Sequence, residues 1–114
     1  MKPIVSIIVP CYNQAPYIAE TLNSVLASDF EAWECIIMDD GSTDHTEEII
    51  RPFCEKDKRI RYYRQENSGV SRARNHAVEY ASGEFLLPLD GDDTLHLPTF
   101  VWLWNICENT PTPV

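Results

Sequence analysis

The stretch Ile4-Val5-Ser6-Ile7-Ile8-Val9 is apolar and β-branched at every position but Ser6 and is closed by Pro10. A strand that is apolar on both faces reads as one covered on both sides, which is the environment of a parallel sheet. Such a sheet needs helices for each face, so the rest of the chain is read with that demand in mind.

The demand is met by alternating periodicities. Within residues 15–26, Ile18, Leu22, Val25 and Leu26 recur at helical spacing, with Pro16 near the start where a missing N–H costs little. Trp33-Glu34-Cys35-Ile36-Ile37-Met38 reads as a second strand, closed by Asp39-Asp40-Gly41. Ser42, Thr43 and Asp44 offer helix caps, Glu47 and Glu48 suit a first turn, and Ile49, Ile50 and Phe53 follow. Residues 59–65 alternate charged and apolar side chains, as a short strand near a sheet edge does. Asn67-Ser68-Gly69 starts a third helix through Ala73, Ala77 and Tyr80, stopped by Gly83.

Glu84-Phe85-Leu86-Leu87-Pro88-Leu89 is a fourth strand in which Pro88 implies a bulge or an unpaired edge, and residues 98–108 read as a last helix. Strand and helix alternating four times predict an α/β chain with a doubly wound, mainly parallel sheet and helices on both faces. Because the alternation stops on a helix, the 114 residues are expected to be the first part of a larger α/β domain.

Charge and cysteine content narrow the function classes. Nine Lys plus Arg stand against eighteen Asp plus Glu, a formal net charge of −9, and no basic stripe is present to neutralise a phosphate backbone. Nucleic acid is therefore not an expected partner. Cys11, Cys35, Cys54 and Cys107 lack the spacing of a zinc site, and His45, His76 and His96 are scattered, so these are read as packing, surface or capping residues. Trp102 and Trp104, two apart, do not share one helical face. The start, Met1-Lys2-Pro3-Ile4-Val5, lacks a signal peptide's apolar stretch. A cytoplasmic chain, at most peripheral to the inner face of a membrane, is the expectation.

In an open α/β sheet, ligands bind beyond the carboxyl ends of the strands, where strand order reverses. There the first strand ends in Pro10-Cys11-Tyr12-Asn13, the second in Asp39-Asp40-Gly41-Ser42 and the fourth in Asp90-Gly91-Asp92-Asp93. Asp-Gly pairs are ordinary turn sequences, but two acidic clusters at equivalent rims of one sheet are more than turn chemistry needs. Like charges so placed repel, and a divalent cation with oxygen ligands resolves the conflict, because Mg²⁺ takes one or two carboxylates together with substrate phosphates.

These segments, with Asn67-Ser68-Gly69-Val70-Ser71-Arg72-Ala73-Arg74-Asn75 and Gly83-Glu84-Phe85, resemble the four signatures of the inverting family 2 glycosyltransferases of GT-A fold. The resemblance runs from about Ile4 to Pro98. It implies transfer of a sugar from a nucleotide-diphosphate donor to an acceptor hydroxyl, with inversion and with Mn²⁺ or Mg²⁺. It implies a donor site of Pro10, Tyr12, Asn13, Asp39, Asp40, Gly69, Arg72 and Asp90, with Arg74 a weaker candidate, and a metal held by Asp92 with Asp93 nearby. A UDP-sugar is the favoured donor, a glycan or lipid-linked molecule the acceptor, and cell-wall or polysaccharide biosynthesis the setting. The family's general base lies beyond the metal motif, so no residue here is assigned that role, the chain alone is expected to turn over negligibly, and self-association through an exposed sheet edge is expected. A non-catalytic nucleotide-binding or interaction fragment is the alternative. A phosphate-receiving signalling domain would want its acidic pair after the first strand, and a sugar nucleotidyltransferase a glycine-rich loop there.

Overall fold

The computed structural model describes residues 3–28 and 30–92. The expected last helix, with His96, Trp102, Trp104 and Cys107, lies outside the described residues, as does Asp93. Four strands, β1 (Val5–Cys11), β2 (Trp33–Asp39), β3 (Ile60–Arg64) and β4 (Phe85–Pro88), alternate with α1 (Ile18–Leu26), α2 (Thr46–Lys56) and α3 (Val70–Val78). The sheet order is β3-β2-β1-β4, and every pairing is parallel. Among the described residues no helix is long and apolar enough to cross a membrane.

The period of two along β1 and β2 explains the two layers. Val5, Ile7, Val9, Cys35 and Ile37 point to one face and bury Ile18, Leu22 and Val25 of α1 and Ile50 of α2. Ile8, Ile36 and Met38 point to the other face, where Ala73 and Ala77 let α3 approach closely. The chain winds outward from β1 to β3 and then returns through α3 to the far side of β1, so strand order reverses between β1 and β4.

Pro88 occupies an edge strand without a bulge. Phe85 N donates to Ile4 O and Leu89 N to Ile8 O, so the alternating nitrogen of residue 88 faces the open edge, where proline loses nothing. The helices begin later than cap residues alone predict. α2 starts at Thr46 rather than beside Ser42, and α1 at Ile18, because the intervening loops bond to each other.

Glu34 fastens the amino end of the sheet. It is 7% exposed and accepts hydrogen bonds from Ser6 Oγ (2.5 Å), Ser82 N (2.6 Å) and Arg61 Nη2 (2.5 Å). Burial alone would raise its carboxyl, but the bonds from Ser6 and Ser82 and the Arg61 charge outweigh burial and hold it below the ordinary 4.5. A carboxyl lowered on folding stabilises in full above its unfolded value and loses that stabilisation as pH falls through its folded value. Unfolding temperature is therefore expected to drop on acidification below about pH 4.5. Glu34→Gln is expected to lose about 2 kcal/mol at neutral pH and to show a shallower acid limb, read by circular dichroism melts. Parallel limbs in the two proteins would count against this assignment.

Candidate functional site

A cavity of about 540 Å³ opens at the switch point between β1 and β4. Pro10, Cys11, Tyr12 and Gln14 reach it from the end of β1, and Asp40 from the end of β2. Asn67, Gly69, Val70, Ala73 and Arg74 line it from the start of α3, and Asp90, Gly91 and Asp92 from the turn after β4. Parallel strands deliver these segments to one rim because each right-handed crossover brings the chain back to the same end of the sheet.

Asp40 organises the wall beneath α3. It is 4% exposed, and its Oδ1 accepts from Gln65 Nε2 (2.9 Å) and Ser68 N (2.8 Å), while Oδ2 accepts from Gly69 N (3.0 Å). Asn67 Nδ2 also donates to the Asp40 carbonyl at 3.0 Å. Burial would raise the Asp40 carboxyl, but the bonds from Gln65, Ser68 and Gly69 outweigh it, and the group stays ionised below its ordinary range. Gly69 sits at φ 105°, where a side chain is strained, and leads directly into α3, whose first N–H groups border the cavity.

Three residues expected in the donor site stand outside the lining, each for a definite reason. Asn13, at φ 51°, turns its side chain away to bind the neighbouring loop. Its Oδ1 accepts from Thr43 N (2.8 Å) and Asp44 N (3.3 Å), and its own N–H donates to Ser42 Oγ (2.8 Å). Together with Gln14 N donating to Thr46 Oγ1 (3.0 Å), this strap fixes the stretch that carries Tyr12. Asp39 is fully buried: its carboxylate accepts from Ser42 N (2.8 Å), Tyr62 Oη (2.5 Å) and Arg64 Nη1 (3.4 Å), which closes the β2–α2 loop. Arg72 is exposed on α3, whereas Arg74, two positions and about 200° further round the helix, enters the wall beside Ala73.

The turn after β4 is docked closely. Thr21 Oγ1, fully buried on α1, donates to Gly91 O at 3.1 Å, and a Cβ on Gly91 would stand 2.9 Å from Cys11 Cβ. This seating fixes the flanking carboxylates of Asp90 and Asp92. Asp90 Oδ1 lies 3.6 Å from Arg74 Nη2, and Arg74 Nε is buried with no partner among the described residues. Asp92 is exposed to the cavity, and among the described residues its carboxylate has no partner. Among the same residues no group of three Cys, His, Asp or Glu side chains forms a closed metal cage. One or two carboxylates beside an open cavity fit a hard divalent ion that fills its remaining positions with water or phosphate oxygens.

A sequence profile of the family described as Glycosyl transferase family 2 matches residues 6–101. The chain belongs to glycosyl transferase family 2. It is 47% identical over 93 residues to TuaG, a Bacillus subtilis glycosyltransferase named for teichuronic acid biosynthesis, covering 81% of this chain and 37% of that protein. It is 37% identical to the glycosyltransferase GlyG of Streptococcus pneumoniae, over 82% of this chain and 31% of the relative. The chain thus spans about a third of these relatives' length. Among solved structures, S. aureus TarS in complex with UDP-GlcNAc superposes with a TM-score of 0.85 at 37% identity, over 95% of this chain and 32% of that one. A mannosyltransferase of Pyrobaculum calidifontis in complex with GDP-Man and Mn²⁺ superposes with a TM-score of 0.82 at 29% identity, over 99% and 34%. The described region therefore has the Rossmann-like GT-A arrangement of sheet and helices that these structures share.

Gln14, Asn67, Val70 and Ala73 line the cavity without a role assigned from the sequence, and Arg74, the weaker arginine candidate, is the one that lines it. One signal for Arg74 was available. It stands three positions before the buried Ala77, about 60° from it round the helix, while Arg72, five positions before, lies about 140° away.

Proposed function

We propose that the cavity binds a nucleotide-diphosphate sugar together with a divalent cation, and that the protein transfers the sugar with inversion to a hydroxyl of a glycan or lipid-linked acceptor. The observation that carries the reading is the pairing of opposites in one wall. Among the described residues Arg74 Nε is a buried donor without a partner, and the Asp92 carboxylate has none either. A bare anion would meet Asp40, Asp90 and Asp92, and a bare cation would leave Arg74 Nε unpaired. A metal-bound diphosphate answers both.

In this reading Asp92 holds the cation with Asp93 nearby, and Asp90 stands toward the ribose and sugar. The start of α3 and Arg74 face the diphosphate, and Tyr12, 44% exposed at the mouth, stacks on the base. When bound, Mn²⁺ or Mg²⁺ supplies Lewis-acid stabilisation of the departing nucleotide diphosphate. The uracil preference rests on the UDP and UDP-GlcNAc complexes of TarS, which resembles this chain more closely in sequence than does the GDP-Man-bound mannosyltransferase. No residue of this chain is assigned as general base, so negligible transferase turnover by the chain alone belongs to the same proposal.

Calorimetric titration tests the reading. UDP is expected to bind roughly tenfold or more tightly with Mn²⁺ than without it, and GDP more weakly than UDP. Absence of any metal-dependent heat would sink the proposal. The edge of β4, with Leu86 51% exposed, also supports pairing with a second copy of the chain. Light scattering is expected to show mass rising with concentration, and a constant monomer mass would overturn that part.

A further inference from the structure

The side chain of Gln65, just past the end of β3, makes two bonds with opposite demands. Its Nε2 donates to Asp40 Oδ1 at 2.9 Å, and its Oε1 lies 2.9 Å from His76 Nδ1 on α3. An ionised carboxylate has no proton to give, so the amide nitrogen faces Asp40 and the amide oxygen faces His76. That oxygen only accepts, which puts a proton on His76 Nδ1. With the other neutral tautomer, two lone pairs would meet. Turning the amide to relieve them would set its oxygen against the Asp40 carboxylate. The ring of Tyr80 stands beside His76, tilted against it at 5.7 Å, and Tyr80 is itself stacked on Tyr63.

Neither Gln65 nor His76 lines the cavity, but Asp40 does, as do Asn67 and Gly69, which Asp40 holds. Sequence reasoning treated His76 as a surface or capping residue, whereas it is partly buried and bonded inward. Both ends of the chain of bonds are therefore occupied: a ring set beside Tyr80 at one end and the cavity wall at the other.

We infer that Gln65 and His76 are positioning residues for nucleotide binding: His76 Nδ1–H orients the Gln65 amide, and that amide fixes the carboxylate on which the Asn67 and Gly69 wall depends. The inference rests on the nucleotide-binding reading above. Losing the His76 donor frees the Gln65 amide to rotate, and Asp40 then loses one aligned bond of its three shortest.

The test is UDP titration of the full chain with Mn²⁺ present, for His76→Ala, His76→Asn and His76→Gln. Alanine is expected to weaken UDP binding about five- to tenfold, the effect of losing one aligned hydrogen bond between neutral groups. The asparagine amide N–H lies near the place of imidazole Nδ1 and is expected to restore affinity to within about twofold, whereas the longer glutamine does not. Side-chain ¹⁵N shifts are expected to report His76 as the Nδ1–H tautomer. Unchanged affinity in His76→Ala, or an Nε2–H tautomer, overturns the inference alone. Failure of the unmodified chain to bind UDP or GDP overturns the nucleotide reading with it. Should His76→Ala not fold, the other two variants decide, and equal affinities for them would refute the inference.

Discussion

Replacing Asp92 by Asn is expected to remove the manganese-dependent part of UDP binding, a loss of roughly tenfold or more, while leaving the weaker metal-free binding in place. The size follows from what Asp92 does in the fold, which is little. Its carboxylate has no partner among the described residues, so folding places no demand on its charge. Asp90 differs, because it faces Arg74 at 3.6 Å. Asn at position 90 is expected to weaken that pair and to lower affinity both with and without metal. Titrations of UDP against both variants, with Mn²⁺ and with a chelator, separate the two patterns. If Asp92→Asn keeps the full metal-dependent heat, the assignment of the cation to that carboxylate is wrong.

The second large effect is structural and lies in a residue with no side chain. Gly41 has φ +76°, and a Cβ there would stand 2.9 Å from the backbone nitrogen of Asn67. Gly41→Ala therefore combines left-handed strain of about 1 kcal/mol with overpacking of about 1–3 kcal/mol, because a backbone atom has little room to yield. A fall in unfolding temperature of ~10 °C or more is expected. UDP affinity should fall as well, since the strain is delivered to the Asn67 segment that Asp40 holds against the cavity. A melt within ~2 °C of the unmodified chain would show that the loop absorbs the methyl group freely.

Much of this architecture was legible because it depends on local pattern. Apolar β-branched runs define β1 and β2 whatever lies around them, and their two-faced burial is what a parallel sheet requires. The third and fourth strands are shorter, yet their order in the chain and their acidic or polar ends placed them. What was hidden depends on partners far away in sequence. Asn13, expected in the donor site, and Ser42, expected as a helix cap, are instead bonded to each other's loops across about thirty positions, and the Asp44 carboxylate accepts from Thr46 N, so α2 starts only at Thr46. Asp39 and Asp40 are chemically identical neighbours on a strand end. Alternation sends one into a closed network with Tyr62 and Arg64 and the other to the cavity. Nothing in the string Asp39-Asp40 says which is which until the sheet's two faces are assigned. Gln65 and His76 carried no motif at all, and only the geometry connects them.

The position of β4 has a consequence for how the molecule assembles. Val5 is the register partner of Phe85 and Ile8 that of Pro88, so the strand that brings Asp90 and Asp92 to the cavity meets the first strand across some eighty residues of chain. Loop closure over that distance is slow compared with the neighbouring β1–β2 and β2–β3 units, and β4 is only four residues long with two of them exposed. The half of the wall built from β1, β2 and α3 thus exists as soon as α3 packs on β1 and β2, whereas the half carrying Asp90 and Asp92 waits for β4 to return beside β1. The same asymmetry makes the acidic half the first to detach in a fluctuation, and it leaves the rest of the sheet intact when it does.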